Sequence, residues 1–362
     1  MPDSSERDCA FMQQCLILAE QAAGQTAPNP LVGSVIVKDG QVIGRGYHPG
    51  AGQPHAEVFA LRQAGSAAEG ATLYVNLEHC NHTGRTPPCT EAILAAGIRR
   101  VVVGMVDPDP RVSGGGIERL RQNQVEVTVG VESERCQQLN EAFCHRIQQQ
   151  RPFGILKYAM TLDGIIASRT GHSAWVTGPA ARQAVHRLRS QCDAVIVGGN
   201  TVRQDNPHLT SHGQSAHSPL RVVMSRQLNL PKAAHLWDPT EAATVIFCGP
   251  QRDAQMQKHL EKQGVEVVLL DSLTPETVMA NLYDRGHLAT LWECGGQLAA
   301  AAIAQNCVQK VWAFIAPKII GGAQAPSPVG ELGLEKMDSA SALKQMQWHT
   351  HGPDLLVTGY LS

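Results

Sequence analysis

The sequence predicts an α/β protein built from two domains, and three observations lead to this prediction. The chain has 362 residues, enough for two domains that each bury a hydrophobic core. Helical and strand patterns alternate along it, which is typical of sheets covered by helices. A polar, glutamine-rich stretch before Pro152 interrupts the alternation and has the composition of a linker. We therefore expect one domain over residues 1–148 and a second over 152–362.

The elements of the first domain follow from apolar spacing and from turn residues. Apolar residues three or four positions apart predict a helix over 8–23, closed by Gly24. Residues 31–48 predict a β-hairpin, because Asp39-Gly40 is a favoured two-residue turn. The remaining pattern predicts helices at 55–65, 89–97 and 116–124, strands at 71–78, 99–106 and 125–130, and a last helical segment ending near residue 147.

The second domain begins with a new strand pattern directly after the linker. Short apolar runs bounded by polar or glycine residues predict strands at 153–161, 193–199, 220–225, 243–249, 266–270, 288–294 and 311–320. Helical spacing predicts helices at 180–190 and 298–305.

The composition excludes several classes of protein. Hydrophobic residues make up 43% and charged residues 17% of the chain, a globular balance. The chain has 30 basic and 32 acidic residues, so a broad basic surface for nucleic acid is not expected. No apolar run approaches the roughly 20 residues of a membrane helix, and the polar start MPDSSERD does not have the pattern of a secretory signal. Ten scattered cysteines predict a reducing, cytoplasmic location.

The residue set that carries chemistry is His55, Glu57, Cys80 and Cys89. One imidazole and two thiolates are three protein ligands for Zn²⁺, and they leave its fourth position open for water. Cys89 follows Pro88, a typical helix start, where a thiolate is favoured. Glu57 stands two residues after His55 and is predicted to move protons, because zinc lowers the pKa of a bound water to about 7.

Each of these residues also has a purely structural interpretation. His55 could cap a helix, Glu57 could be a solvated first-turn acid, and the two cysteines could be buried hydrophobes. The order and spacing of the whole set favour zinc. His79 and His82 flank the first cysteine, so either could also be a ligand.

The strings NPLVGSVIV, HAEVFAL and YVNLEHCNHTGRTPPC resemble the zinc cytidine-deaminase superfamily and, more closely, the bifunctional deaminase/reductases of riboflavin biosynthesis. This resemblance implies a cytidine-deaminase-like α/β/α sandwich in which Asn29 and His48 hold the substrate. Without it, Asn29 before Pro30 is typical of a turn. The family usually has proline where His79 stands. An imidazole there either points away from the metal or competes for it, and competition would leave only the reductase active.

The strings KYAMTLDGIIA, TGHSAWVTG and VGGNTVRQDNPHLT resemble the reductase half of the same family, which implies a dihydrofolate-reductase-like fold. The resemblance implies that NADPH is bound by Ala159, Trp175, Thr201, Asp205, Ser225, Gly295, Gly296, Gln297 and Leu298. It implies that a phosphoribosylaminopyrimidine is bound by Ser173, Arg189, Leu209, His212 and Glu293.

Some of these assignments also follow from residue chemistry. The Gly295-Gly296 turn between a strand and a helix can bind phosphate through backbone N–H groups, although it is not a G-x-G-x-x-G motif. The guanidinium of Arg189 suits a sugar phosphate. Two departures from the family pattern concern His212, where arginine is frequent, and Ser225, where aspartate is frequent.

The resemblance implies two consecutive reactions. These are zinc-dependent hydrolytic deamination of 2,5-diamino-6-(5-phosphoribosylamino)pyrimidin-4-one and NADPH-dependent reduction of its ribosyl group to ribityl. The alternatives are a reductase alone and a non-catalytic nucleotide-binding protein with a structural zinc. A polynucleotide deaminase is less consistent with the absence of basic excess. The partner expected is therefore a small molecule, with no nucleic acid and no membrane; whether the chain forms a homo-oligomer is left open.

Overall fold

The structure is a computed structural model that describes residues 4–81 and 88–361. The chain divides into two compact units, Met1–Gln150 and Arg151–Ser362. Each unit contains one β-sheet with its own helices.

The first unit is built on a five-stranded sheet of order β2-β1-β3-β4-β5. Strand β1 runs antiparallel to both β2 and β3, whereas β3, β4 and β5 are parallel. The strands are β1 (Gly33–Lys38), β2 (Gln41–Tyr47), β3 (Thr72–Leu77), β4 (Arg100–Met105) and β5 (Glu126–Val129). The helices are α1 (Ser4–Glu20), α2 (Ala56–Ala64), α3 (Cys89–Ala95), α4 (Gly115–Gln122), α5 (Ser133–Leu139) and α6 (Glu141–Gln149).

Helices cover both faces of this sheet. A buried cluster of Ile36, Leu73 and Val103 with residues of α2, α3 and α4 forms the core on one face. Helices α1 and α5 pack on strands β1, β3 and β4 from the other face. Helix α2 lies very close to β2, since a Cβ atom on Gly46 would be 2.2 Å from the Ala56 carbonyl oxygen. The first unit is therefore an α/β/α sandwich.

The second unit is built on a nine-stranded sheet of order β10-β9-β8-β7-β11-β6-β12-β14-β13. The seven strands from β10 to β12 in this order are parallel, and β14 is antiparallel to both of its neighbours. The strands are β6 (Phe153–Thr161), β7 (Ala194–Gly198), β8 (Leu220–Met224), β9 (Thr244–Cys248), β10 (Glu266–Leu269), β11 (Ala289–Trp292), β12 (Lys310–Ala316), β13 (Leu343–His351) and β14 (Asp354–Leu361).

Five α-helices accompany this sheet: α7 (Pro179–Gln191), α8 (Gly199–Asp205), α9 (Ala254–Lys262), α10 (Pro275–Asp284) and α11 (Gly296–Ala304). Trp292, Phe247 and Leu282 belong to the main core cluster. The indole N–H of Trp292 donates to the Cys307 carbonyl at 3.0 Å, which satisfies the polar atom of this fully buried ring.

The element predictions differ from the structure at several places. The helical segment expected to end near residue 147 is two helices, α5 and α6, which meet at Asn140. The strand expected over 311–320 ends at Ala316. Helices α8, α9 and α10 and the hairpin β13–β14 were not predicted. Helix α9 has few apolar residues in AQMQKHLEK, and β13 is exposed along most of its length, so neither shows the usual apolar periodicity.

Candidate active sites

Three metal-binding side chains meet between α2 and α3. His55 immediately precedes α2, Cys89 is the first residue of α3, and Cys80 follows β3. The Nδ1 atom of His55 lies 3.1 Å from Sγ of Cys89 and 3.5 Å from Sγ of Cys80. All three donor atoms lie within 4.8 Å of one another. Zinc bonds of about 2.0–2.3 Å place tetrahedral ligands about 3.5 Å apart, so this donor set fits Zn²⁺ with one position left for water.

The electrostatics of this cluster favour a thiolate. Hydrogen bonds from Cys89 and His55 lower the pKa of the Cys80 thiol well below its ordinary value. The backbone N–H of Cys89 also donates to Cys80 Sγ at 3.4 Å, at the positive end of α3. Thiolate and neutral imidazole are the forms that bind zinc. The chemistry of the residues therefore agrees with the metal that the sequence predicts.

Glu57 lies beside this donor group and is buried. Its negative charge contributes to the raised pKa values of His55 and Cys89, and it partly opposes the lowering of the Cys80 pKa. Its Oε1 accepts a hydrogen bond of 2.7 Å from Nδ1 of His79. Burial raises the pKa of Glu57, but the hydrogen bond and charge of His79 outweigh it and lower that pKa overall. A carboxylate next to the metal position is the group required to move protons there.

His79 is not part of the metal-binding group. That group consists of His55, Cys80 and Cys89 among the residues that the structure describes, and the Nδ1 atom of His79 is engaged with Glu57. The alternative in which His79 fills the open position on zinc is therefore not supported. His82, the other flanking histidine, lies outside the described residues.

Asn29 and His48 lie next to the metal-binding group. Asn29 Nδ2 is 3.0 Å from Nε2 of His48, and the His48 ring meets the His55 ring edge to face at 5.6 Å. The Nδ1 atom of His48 lies 3.0 Å from the Pro54 carbonyl, which can only accept. Burial lowers the pKa of His48, so the ring is neutral with its proton on Nδ1. Nε2 then accepts from the Asn29 amide.

Three buried polar residues that the sequence analysis missed support this site. The carboxylate of Glu78 accepts hydrogen bonds from backbone N–H groups at the start of α4, at 2.9 Å for Gly114. Asn76 donates to the Leu31 carbonyl at 2.9 Å, and Asn140 accepts from the Leu31 N–H at 2.8 Å. These bonds hold the chain segments next to Cys80 and Asn29. Polar residues within the buried strand YVNLE were the available signal, because buried polar groups need partners.

The candidate reductase site lies where parallel strands end. Strands β6, β7, β8 and β11 are parallel, so their carboxyl ends share one edge of the sheet. Ligands of α/β sheets bind at this edge. Several predicted residues follow these strands directly: Thr201 in the first turn of α8 after β7, Ser225 after β8, and Glu293, Gly295, Gly296, Gln297 and Leu298 after β11, whereas Asp205 is the last residue of α8.

Glu293 is a largely buried carboxylate that is paired with two cations. Its carboxylate pairs with Arg189 through Nε at 2.6 Å and Nη2 at 3.1 Å, and with Lys157 Nζ at 3.5 Å. Burial raises the pKa of Glu293, but the two cations outweigh burial and lower it to about 2. Lys157, on β6, was missed in the sequence, where a single lysine in a strand carries no distinctive signal. The predicted pair Arg189 and Glu293 is thus a single charged unit.

The starts of α8 and α11 and the end of β8 are in contact. A Cβ atom on Gly199 would be 3.2 Å from Ser225 Oγ, and one on Gly198 would be 3.5 Å from a Leu298 methyl group. Thr201 lies in the same first turn of α8 as Gly199. Three predicted cofactor residues, Thr201, Ser225 and Leu298, therefore lie in one region.

The two glycines at the start of α11, Gly295 and Gly296, have different roles. Gly295 is exposed and a Cβ atom there would meet nothing within 4 Å. A Cβ atom on Gly296 would be 2.7 Å from the Ser327 carbonyl, so this glycine allows a loop to pack against α11. Gln297 is exposed in the same turn. The N–H groups of this first turn have no carbonyl partner within the helix and can bind phosphate.

Ser173 and Asp205 are joined, with Ser173 Oγ donating to Asp205 Oδ1 at 3.0 Å. Trp175 is 69% exposed, and the Arg182 guanidinium lies 4.4 Å from its ring centre. An exposed aromatic ring stacked under arginine is available to pack against a flat ligand. Ala159, by contrast, packs against an apolar cluster formed by residues of α7, β12 and β14.

Leu209 and His212 flank the Arg189 guanidinium. Arg189 Nη1 donates to the carbonyl of Thr210 at 3.3 Å. Leu209 is buried as a whole residue, so its predicted contact with the substrate stays a prediction. The exposed His212 ring stacks on His186 with centroids 4.2 Å apart.

Two family models match this chain. One, described as the RibD C-terminal domain, matches residues 152–357. The other, the cytidine and deoxycytidylate deaminase zinc-binding region, matches residues 5–105. A riboflavin biosynthesis protein RibD from Synechocystis is 62% identical over 354 residues, covering 98% of this chain and 96% of that protein. The chain belongs to the RibD family.

Other RibD proteins agree with this assignment. RibD of Aquifex aeolicus is 40% identical, covering 97% of this chain and 98% of its own. The crystal structure of a diaminohydroxyphosphoribosylaminopyrimidine deaminase/5-amino-6-(5-phosphoribosylamino)uracil reductase from Thermotoga maritima has a TM-score of 0.89 at 34% identity, covering 99% and 100% of the two chains. The predicted fold class is confirmed, with a cytidine-deaminase-like first unit and a reductase-type second unit.

As a RibD protein, the chain is a bifunctional enzyme of riboflavin biosynthesis, and its predicted cofactors are confirmed as zinc and NADPH. No helix among the described residues is long and apolar enough to span a bilayer.

Proposed function

We propose that this chain first deaminates 2,5-diamino-6-(5-phosphoribosylamino)pyrimidin-4-one and then reduces the ribosyl group of the product to ribityl with NADPH. The single observation that carries the proposal is the zinc-ligand set His55, Cys80 and Cys89 with the buried carboxylate of Glu57 beside it. The name of the Thermotoga maritima protein, which includes both activities, supports the choice of substrates.

In the deaminase unit, zinc supplies, when bound, a water molecule of lowered pKa as the nucleophile. Glu57 accepts a proton from the attacking water and delivers it to the departing amino group. The C–N bond breaks and the nitrogen leaves as ammonia, while the remaining hydroxyl proton moves to the adjacent ring nitrogen, so that a carbonyl replaces the amino group. Asn29 is proposed to hydrogen-bond the pyrimidine through its amide, and His48, whose two ring nitrogens contact Pro54 and Asn29, is proposed to hold that amide in a fixed orientation beside the substrate.

In the reductase unit, NADPH supplies a hydride for C1′ of the opened ribose. The first turn of α11 and residues Thr201, Asp205 and Ser225 are proposed to hold the cofactor, with Trp175 and Ala159 completing its contacts. Arg189, Glu293, Ser173, Leu209 and His212 are proposed to hold the substrate. Arg189 is suited to its phosphate by charge, and His212, whose pKa is lowered by burial and by the charge of Arg189, can contribute a hydrogen bond from a neutral ring.

The proposal is tested with Glu57→Gln, which keeps the shape of the side chain but cannot accept the proton. We expect ammonia release to fall by about 10²–10⁴-fold. Zinc content, and NADPH oxidation with the deaminated intermediate supplied, should remain unchanged. Ammonia release at a near-normal rate from zinc-loaded Glu57→Gln would contradict the assigned role.

The cytoplasmic location stays a prediction. Whether the chain forms a homo-oligomer stays open. As an enzyme of riboflavin biosynthesis the chain acts on a small-molecule substrate, and size measurement of the purified chain would answer the question of assembly.

A further inference from the structure

The contact between Glu57 and His79 joins two parts of the metal site that are distant in the sequence. Glu57 lies in the first turn of α2, two residues after the ligand His55. His79 immediately precedes the ligand Cys80. The 2.7 Å hydrogen bond between them is almost completely shielded from solvent, with side-chain exposures of 0% for His79 and 4% for Glu57. Such a buried bond to a carboxylate is short and strong.

His79 is itself held firmly by its surroundings. Its carbonyl oxygen lies so close to α4 that a Cβ atom on Gly116 would be 2.5 Å away. The preceding residue, Glu78, accepts N–H bonds from Gly114 at 2.9 Å and from Gly116 at 3.2 Å. The imidazole therefore projects from a fixed backbone. A fixed donor can hold a side chain that would otherwise have several rotamers.

The two oxygens of Glu57 are in different situations. Oε1 is bound by His79, whereas Oε2 is buried without a hydrogen-bond partner among the described residues. A buried carboxylate oxygen that lacks a partner is expensive unless a ligand or water supplies a hydrogen bond. Oε2 is therefore the carboxylate oxygen that is left to accept a hydrogen bond from a water or a ligand.

We propose that His79 is a positioning residue, which clamps Oε1 of Glu57 so that Oε2 faces the attacking water and the substrate. This inference rests on the proposed deaminase function. In this role His79 is neither a zinc ligand nor a group that touches the substrate. Its contribution is to restrict Glu57 to one productive geometry, and misplacement of such a group by about 1 Å can reduce turnover about 10²-fold.

The test compares His79→Leu with His79→Asn in the zinc-loaded full-length chain. Leucine fills the space but donates no hydrogen bond, whereas the asparagine amide can donate from a position close to that of Nδ1. For His79→Leu we expect kcat for ammonia release to fall about 10–100-fold, with KM changed less than about threefold. For His79→Asn we expect kcat within about fivefold of the wild type. Zinc affinity, measured by chelator competition, should be unchanged in both.

Ile93→Ala is the matched control for general destabilisation, because Ile93 is buried in the core of the same unit. It should lower the melting temperature but leave kcat within about twofold at temperatures where the unit is folded. Wild-type kcat in zinc-loaded His79→Leu would overturn the inference. So would weaker zinc binding in His79→Asn, which would make His79 a ligand, or a kcat loss in Ile93→Ala equal to that of His79→Leu.

A crystal structure of the zinc-loaded wild-type chain gives a test that needs no variant and no activity. We expect His79 Nδ1 within about 3.2 Å of a Glu57 oxygen. A Glu57 carboxylate turned away from His79 would overturn the inference even if His79→Leu fails to fold. If the wild type releases no ammonia at all, the proposed function fails, and the crystal structure still decides whether the clamp exists.

Discussion

At the scale of single residues, both sites contain a buried carboxylate whose ionisation is maintained by neighbours. The pKa of Glu57 is lowered by His79, and the pKa of Glu293 is lowered by Arg189 and Lys157. In both cases burial alone would favour the neutral acid, and the partners reverse that effect. The sequence identified both carboxylates, but the partners His79 and Lys157 became evident only when the chain was folded.

Glu293 makes the stability of the second unit dependent on pH. Its pKa is about 2 in the folded chain, below the ordinary value of 4.5. A lowered pKa stabilises the fold above the unfolded pKa, and this contribution is lost as the pH falls from about 4.5 towards about 2. The difference between these two pKa values corresponds to about 3 kcal/mol of folding stability. We expect Glu293→Gln to destabilise the unit by about this amount at pH 7 and to show little further loss in this acid range.

Tryptophan fluorescence during urea unfolding measures this effect selectively. All five tryptophans lie in the unit spanning 151–362, so the signal reports that unit alone. The difference between wild type and Glu293→Gln should shrink as the pH is lowered from 7 to about 2. A difference that is independent of pH would show that the charge of Glu293 is not what stabilises the unit.

At the scale of elements, the close packing of α2 on the β1–β2 hairpin positions the first zinc ligand. Gly46 in β2 leaves no space for a side chain, because a Cβ atom would be 2.2 Å from the Ala56 carbonyl and 2.7 Å from the Ala60 nitrogen. His55 precedes this helix directly. Any displacement of α2 therefore moves His55 relative to Cys80 and Cys89.

Gly46→Ala is predicted to damage both stability and metal binding. Because the clash is with backbone atoms, relief requires a shift of the helix, and we expect a loss of about 3 kcal/mol or more. Calorimetric melting and zinc content of the purified chain measure the two effects. The matched control is Gly115→Ala at the start of α4, where the nearest atom to a new Cβ is 3.9 Å away. Equal behaviour of the two variants would refute the packing argument.

At the scale of the whole molecule, the two activities are assigned to two compact units with separate sheets. The metal donors all belong to the first unit, and the proposed NADPH and phosphate contacts belong to the second. Hydrolysis and hydride transfer thus use different cofactors in different parts of one chain.

Removal of zinc by a chelator should therefore separate the activities. We expect ammonia release to stop, because the water nucleophile is no longer activated. NADPH oxidation with the supplied deaminated intermediate should continue at about its original rate. Ammonia release should return when zinc is added back. Ammonia release that survives complete metal removal, checked by elemental analysis, would exclude the zinc mechanism.

The sequence by itself predicted the two-domain α/β organisation, and it singled out His55, Cys80 and Cys89 as candidate zinc ligands with Glu57 as the candidate proton carrier. These features depend on local patterns: apolar periodicity, turn residues, and His, Glu and Cys at helix starts. Helices α8, α9 and α10 and the hairpin β13–β14 were missed. The sequence of α9 is mostly polar, and β13 is exposed along most of its length. Neither therefore shows the apolar periodicity that distinguishes a helix or a strand from a loop.

Only the tertiary structure decided the state of the site residues. The direction of His79 towards Glu57, the joining of Lys157 to the Arg189–Glu293 pair, and the support from Asn76, Glu78 and Asn140 all link residues from different elements. Hydrogen bonds and ion pairs depend on distances of a few tenths of an ångström across the fold. Chain packing sets those distances, and sequence spacing carries no information about them.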